Sequence, residues 1–568
     1  MPSFLDDLQY ASIIPDGLPL SLVGILATVI IGVIYSILAK ERPLAGFPLA
    51  AIDGQSPKNS WSFHGPQTIT EALAKYSGPF QIMTGTGPKI VLPNRFADEI
   101  RSNPALDFQK AFQKDFFTEY EGFSPHRQGL TGGNMIQETV RVKLTQSLGL
   151  VTDDLVDETT ASLRDIYGEN PEWTTAVLKD GVTHLVARLA SRVFLGKDIC
   201  RNERWLQIAK SYTIDSFIAA YIMRMAPALL RPFVYWLVPQ GRSIRRAVRD
   251  ARRIIEPEVG KRIAAVDAAR AAGLKPPKVA DSLGWMYEVA RGSRVDYPAS
   301  QLSLTMAAIH TTTETTSQAM LDICEHPEVV QQLREEIIRV IGEHGWSKNS
   351  VHKLKLLDSF LKESSRVHPL NLSKCPVPMR YGTPKTQREW GERLTWTSRP
   401  RTGSMNRYVE REVVLSDGTV LPKGSRIMVA TNFEDPVAYP SPGDFDAARF
   451  LRRRQEPGQE NAWQFVTTTP EHLHFGHGEH ACPGRFFAAH LDKVALCHLL
   501  LKYDWRFVPA PDGGAGVFPR PTTSRRATAA IGPGRCSSAG AGRRSSWTWS
   551  NFVSGVRVMY IYTFRSGQ

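Results

Sequence analysis

Cys482 has the sequence setting of a metal-ligating thiolate. It lies in FGHGEHACPGRFFAAHL, residues 475–491, where Gly476, Gly478, Pro483 and Gly484 impose a tight, irregular loop. The apolar run after it, RFFAAHLDKVALCHLLL, has helical spacing, so the cysteine falls near a helix N-terminus. Free N–H groups and the positive end of the helix dipole favour a thiolate there. A soft thiolate suits a transition metal such as iron. A buried structural cysteine is the competing reading.

Two further groups could do chemistry. Glu363 and Arg366 sit three apart in LLDSFLKESSRV, on one face of an expected helix. Alone, such a pair reads as a solvated ion pair worth little. His310 and Thr311 lie in MAAIHTTTETT, residues 306–316. A histidine titrates near neutrality and could relay protons. A structural histidine, hydrogen-bonded within the domain, is as good a reading of it.

The elements that must hold these groups are mostly helical. Residues 95–345 read largely as helix, with one clear start at Pro327 and a stop expected at Gly342. FQIMTGTGPKIVL (80–92) reads as a hairpin. EVVLSDGTVLPKGSRIMV (412–429) has strand character around Asp417-Gly418, and Tyr503, Trp505 and Phe507 alternate as in a strand. The expected fold class is mainly α, with a minor β region near the two ends. No internal repeat, zinc-finger pattern or dinucleotide fingerprint is present.

Leu18–Ala39 is uncharged and apolar over a length that spans a bilayer. Asp6, Asp7 and Asp16 precede it, and Lys40 and Arg42 come after it, which favours a permanent anchor over a cleaved leader. The positive-inside rule places the long C-terminal portion in the cytosol. The formal charge of +13 would suggest an acidic partner, but it resides in two segments. Residues 513–568 hold eight Arg and no Asp, Glu or Lys; residues 374–403 hold seven Lys or Arg against Glu389 and Glu392. No nucleic-acid partner is expected. Six scattered cysteines, none in a Cys-x-x-Cys pair, fit a reducing compartment.

Phe475-x-x-Gly478-x-x-x-Cys482-x-Gly484 resembles the haem-binding signature of the cytochrome P450 family. The resemblance extends over roughly residues 40–510. It implies the cytochrome P450 fold, behind a single transmembrane helix, with haem b as cofactor and Cys482 as the iron ligand. Phe475 would pack near the sulfur, Gly478 would let the loop approach the haem, and His480 sits where members contact a propionate. Glu363, Arg366 and Arg449, in that order, match a buried structural triad near the haem loop. The Ala447-Ala448 before Arg449 departs mildly from the family pattern. Thr311 falls where members carry a hydroxyl that helps deliver protons, while His310 replaces the usual acid, as in a group of ascomycete biosynthetic members. Arg141 and Arg407 match positions of haem contacts, or are equally surface arginines.

By the same resemblance the chain is a monooxygenase acting on a lipophilic small molecule, such as a terpenoid or polyketide of fungal secondary metabolism. Electrons would come from NADPH through a separate NADPH–cytochrome P450 reductase, with cytochrome b5 as a further partner. The location would be the endoplasmic reticulum membrane, single-pass, with the catalytic domain cytosolic. Rearrangement or dehydration without a reductase, and a non-catalytic product of a faulty gene model, are the alternatives. The division expected is a short N-terminal segment (1–17), the anchor (18–39), the haem domain (40–510) and an atypical disordered or misread tail (511–568). Arg366 and Cys482 lie 116 positions apart, longer than the family leads one to expect. Residues 374–403 have neither helical nor strand periodicity and read as an insertion, such as a retained intron.

Overall fold

A computed structural model describes residues 24–25, 27–32, 42–131, 135–275, 280–370, 402–507, 528–532 and 558–559. The helices include α1 (Pro57–Lys75), α2 (Phe108–Phe116), α3 (Ser124–Thr131), α4 (Leu148–Tyr167), α5 (Leu178–Leu195), α6 (Glu203–Met225), α7 (Arg231–Leu237), α8 (Pro239–Ala271), α9 (Tyr297–Glu325), α10 (Val330–His344), α11 (Lys355–Val367) and α12 (Arg485–Lys502). The strands are β1 (Phe80–Thr84), β2 (Gly87–Leu92), β3 (Leu106–Asp107), β4 (Thr174–Val177), β5 (Gly403–Val409), β6 (Val413–Val414), β7 (Val420–Leu421), β8 (Arg426–Ala430), β9 (Asp504–Phe507), β10 (Thr528–Gly532) and β11 (Val558–Met559). The architecture is mainly helical with a minor β region.

Helix α9 is the axis of the helical part. Asp296 caps it by accepting from the Ala299 N–H, and Pro298 fits the first turn, where an N–H has no partner. It packs against α3, α5, α6, α8, α11 and α12. The contact with α3 is close: a Cβ on Gly129 would lie 2.1 Å from the Ser303 hydroxyl. The main core joins α4, α5, α6, α9, α10, α11 and α12 through residues such as Leu155, Leu189, Leu206, Ile309, Leu361 and Leu496.

The larger sheet has the order β1-β2-β8-β5-β3, with β2 and β8 parallel and the other neighbours antiparallel. The 80–92 hairpin forms as expected, and β6 and β7 flank the Asp417-Gly418 turn, where Gly418 takes φ 83°. Strand β5 carries an irregularity between Ser404 and Arg407, with Met405 in the left-handed region at φ 51°. Such a bulge re-aims the side chains beyond it, and Arg407 is among them.

Several expectations need correction. The helix begun at Pro327 runs through Gly342 to His344, and Gly345 ends it at φ 62°. Its first turn is a 3-10 turn, which proline permits, and Gly342 alone does not break the hydrogen-bonded ladder. The segment read as 374–403 lies outside the described residues up to 401, but Gly403 opens β5 opposite Ala430. Within the expected tail, 511–568, the described residues are β10 and β11, and β10 pairs with β4, β9 and β11. Backbone pairing along sheet edges does not require the apolar periodicity sought there. Of Leu18–Ala39 only residues 24–25 and 27–32 are described, and they are helical. No helix of the described residues is long and apolar enough to cross a membrane.

Candidate active site around Cys482

The cysteine loop closes on itself. Gly476 N–H donates to Leu473 O, Ala481 N–H to Gly478 O, and Cys482 N–H to Phe475 O at 2.8 Å. Gly476 and Gly478 take φ of 71° and 76°, where a side chain is strained. Gly478 is constrained twice, because a Cβ there would meet Arg101 O at 2.4 Å. The contact that demands this glycine is therefore with the Arg101 backbone. The Phe475 ring lies edge-on to Phe465, with centroids 5.2 Å apart.

Cys482 is half-buried, three residues before α12, as the helix-terminus reading requires. Its thiol is not lowered overall. Burial pushes it above its ordinary pKa, while the N–H groups of Gly484 and Arg485 and the Arg485 charge pull it down. Burial thus outweighs the helix-end effects at this thiol. At Gly484 a Cβ would find ordinary contact with Val140, so this position imposes little steric demand.

Basic side chains flank the loop. Arg407 is 2% exposed. Among the described residues its guanidinium donates only to Asn406 O, leaves Nε without a partner and lies over the Phe108 ring. Burial lowers its pKa to about 10, against the attraction of Asp107. His480 is exposed, its ring 6.3 Å from Phe108, and desolvation and the Arg407 charge hold its pKa down. Arg141 is exposed on a π-helical turn, Thr139–Leu144, near enough to Arg485 to lower that guanidinium's pKa. π-turns cluster at functional sites.

Helix α9 is buried at Leu302, Leu304, Thr305, Ile309 and Thr312, yet Ala307 is exposed and Met306, Ala308 and Thr311 are partly open. The Thr311 hydroxyl donates to Ala307 O at 2.6 Å. Apart from Met306, this side of the helix carries only small groups. His310 turns elsewhere: its Nε2 meets Lys210 O on α6 at 2.9 Å, and burial lowers its pKa.

Glu363 and Arg366 are both 0% exposed, joined by bonds of 2.7 and 2.8 Å. Arg449 donates to both Glu363 oxygens at 3.1 Å, and Asp446 N–H to one at 3.0 Å. Arg366 also donates to Phe433 O, Pro442 O and Asp444 O, and Arg449 to Pro440 O, Ser441 O and Asp444 O. The expected triad thus exists, and it shapes the irregular stretch 433–449.

Sequence reasoning missed the rest of that helix face. Asp358 accepts from Phe465 N–H, Ser359 from Phe450 and Leu451 N–H, Lys362 donates to Gln464 O and Thr467 O, and Ser365 meets His472. All four side chains are buried. The signal was an amphipathic helix whose polar face continues the Glu363/Arg366 row.

A family model described as Cytochrome P450 matches residues 135–376 and 399–513. The chain belongs to the cytochrome P450 family. It is 41% identical over 488 residues to cytochrome P450 monooxygenase bsc2 of Alternaria brassicicola, covering 85% of this chain and 87% of that one. It is 37% identical over 503 residues to cytochrome P450 monooxygenase hepE of Aspergillus oryzae, covering 86% of each. It is 38% identical over 502 residues to cytochrome P450 monooxygenase adrA of Penicillium rubens, covering 86% and 91%. As a member of this family of monooxygenases the protein is an oxidoreductase with haem as cofactor, supplied with electrons by a redox partner, typically NADPH through a reductase.

The residues fit that cofactor. Cys482 offers a half-buried sulfur with N–H groups aimed at it. The buried Arg407, with Nε unpartnered among the described residues, and the nearby His480 would be available to propionate carboxylates, and Arg141 lies within electrostatic reach of Arg485 beside the cysteine. A buried cation without a counter-charge costs several kcal/mol, and an anion would offset it.

Proposed function

We propose that this P450 hydroxylates or otherwise oxidises a lipophilic small molecule of fungal secondary metabolism, a terpenoid or a polyketide. The observation that carries the reading is the presentation of Cys482 at the start of α12, with Arg407 buried beside the same loop and bonded to no acid among the described residues. When bound, the haem supplies dioxygen activation through its thiolate-ligated iron. Arg407, His480 and Arg141 would hold its carboxylates, and Thr311 would offer a hydroxyl from α9 for proton movement. The first test is the reduced carbon-monoxide difference spectrum. A red-shifted Soret band supports Cys482 ligation, and Cys482→Ser should lose it. Substrate turnover without NADPH and reductase would defeat the monooxygenase reading in favour of rearrangement.

The chain is further proposed to be anchored in the endoplasmic reticulum membrane by Leu18–Ala39, with the catalytic domain cytosolic and cytochrome b5 as an accessory donor. Composition supports the anchor, as does an exposed apolar surface at Leu229, Phe233, Trp236 and Leu237. Exposed Arg242, Arg246 and Arg249 lie just beyond, on α8. Release of the protein from microsomes by alkaline carbonate would overturn the anchor.

Residues 374–403 are proposed to be an insertion, a retained intron by origin. The family match supports this, breaking off at 376 and resuming at 399. Transcript reads continuous through these codons in most messages would sink the intron origin.

A further inference from the structure

Helix α11 holds a second clamp on the cysteine loop. We infer that Lys362 is a positioning residue for Cys482, acting through the 464–467 turn and the ring of Phe465. This rests on the reading of Cys482 as the iron ligand.

Lys362 is fully buried, and its ammonium donates to Gln464 O at 3.0 Å and Thr467 O at 3.1 Å. Its remaining side looks toward the Phe450 ring, 5.4 Å from the centroid. Among the described residues no carboxylate bonds to it. Burial pulls its pKa down to about 7, against the attraction of Asp358 and Glu471. A lysine is a costly way to fill this space, since an apolar side chain of similar length would carry no desolvation penalty. What the lysine supplies is a pair of donors that pull two carbonyls of one turn together.

The same turn is held from its other side. One helical turn before Lys362, Asp358 accepts from Phe465 N–H at 2.9 Å. Asp358 is itself fixed by Lys493 of α12 at 2.6 Å and by Arg454 at 3.2 Å. Helix α11 thus grips residues 464–467 through an acid on an N–H and a base on two carbonyls.

The turn carries Phe465, which is fully buried and lies edge-on to Phe475. Phe475 O in turn accepts the Cys482 N–H at 2.8 Å. The path is short: Lys362, the turn, Phe465, Phe475, Cys482. Interiors packed to crystal density transmit a displaced ring to its neighbours. Loss of the clamp would free Phe465, shift Phe475 and loosen the hydrogen bond from the Cys482 N–H to Phe475 O that orients the sulfur.

The test uses the full-length, haem-loaded protein, solubilised from membranes. Lys362→Met removes the donors and keeps the length. Phe465→Leu keeps the clamp and removes the ring. The readout is the reduced carbon-monoxide spectrum: the share with the thiolate-ligated Soret band, and its rate of conversion to the blue-shifted, thiolate-lost form during mild warming. Both variants should convert about tenfold faster than the unaltered protein, equivalent to ~1.4 kcal/mol. Leu206→Ala, a core truncation on α6, should lower thermal stability without that acceleration. A Lys362→Met protein that loads haem and converts at the unaltered rate overturns the proposal. If Lys362→Met does not fold, Phe465→Leu decides alone, and an unaltered rate there overturns it equally. A parent protein with haem but no red-shifted band overturns the Cys482 reading itself, and the proposal with it.

Discussion

His310 Nε2 meets the backbone oxygen of Lys210 at 2.9 Å, so the imidazole ties α9 to α6. The adjacent Thr311 keeps its hydroxyl on Ala307 O, on the open side of α9. Neighbours in sequence thus have separate jobs. His310→Ala should cost about 1 kcal/mol of stability, the worth of one hydrogen bond, with little change in peroxide released per NADPH. Thr311→Ala should do the reverse. Equal peroxide release by both variants would contradict this division.

Glu363 is the only acid bonded to Arg366 and Arg449 among the described residues. Glu363→Gln leaves two buried guanidinium groups without a counter-charge. The expected loss is about 3–5 kcal/mol, enough to abolish haem-loaded protein in a small-scale expression. Recovery of normal haem content would show that the backbone carbonyls suffice.

Arg407 predicts effects of opposite sign on two states. In the haem-free protein it is a buried cation without a bonded acid among the described residues, so Arg407→Met should raise the thermal midpoint. In the loaded protein the same change would remove the proposed propionate partner, so haem should be lost faster to an acceptor such as apomyoglobin. A lowered midpoint together with unchanged haem retention would remove Arg407 from the site.

His126 is buried, with Nδ1 3.2 Å from the Tyr212 hydroxyl and Nε2 without a partner among the described residues. Burial lowers its pKa from 6.5 to about 3. Between those values only the unfolded chain takes the proton. Stability from this group is therefore full above about pH 6.5 and declines by about 1.4 kcal/mol per unit as pH falls toward 3. His490, lowered to about 4 by burial, adds to the same slope. Urea midpoints from pH 4.5 to 7 should show a shallower decline in His126→Gln, by the equivalent of one proton.

Local patterns made some of this structure legible in sequence. The hairpin at 80–92, the Asp417-Gly418 turn and the helix after Cys482 come from turn residues and periodicity. The family signature picked out Cys482 and the triad. The bulge at Met405 and the embrace of residues 433–472 by α11 were hidden, because both depend on what packs from afar. A polar helix face looks alike in sequence whether water or backbone meets it. Periodicity alone therefore does not mark Asp358 and Lys362 as buried, and Glu363 and Arg366 escape the solvated-pair reading only by resemblance. The thiol of Cys482 shows the opposite failure: dipole reasoning favours a thiolate, while burial, invisible in sequence, outweighs it.

Helix α11 grips residues 433–467 mostly by main-chain atoms: Phe433 O, Pro442 O, Asp444 O, Phe450 N, Gln464 O and Phe465 N. Every amino acid offers a carbonyl, and nearly every one an N–H. The stretch can therefore change its side chains while keeping its course, as the Ala447-Ala448 departure does here. The shape of the loop is in this sense written in another part of the chain. Drift should be cheap in the loop and expensive in the helix that shapes it.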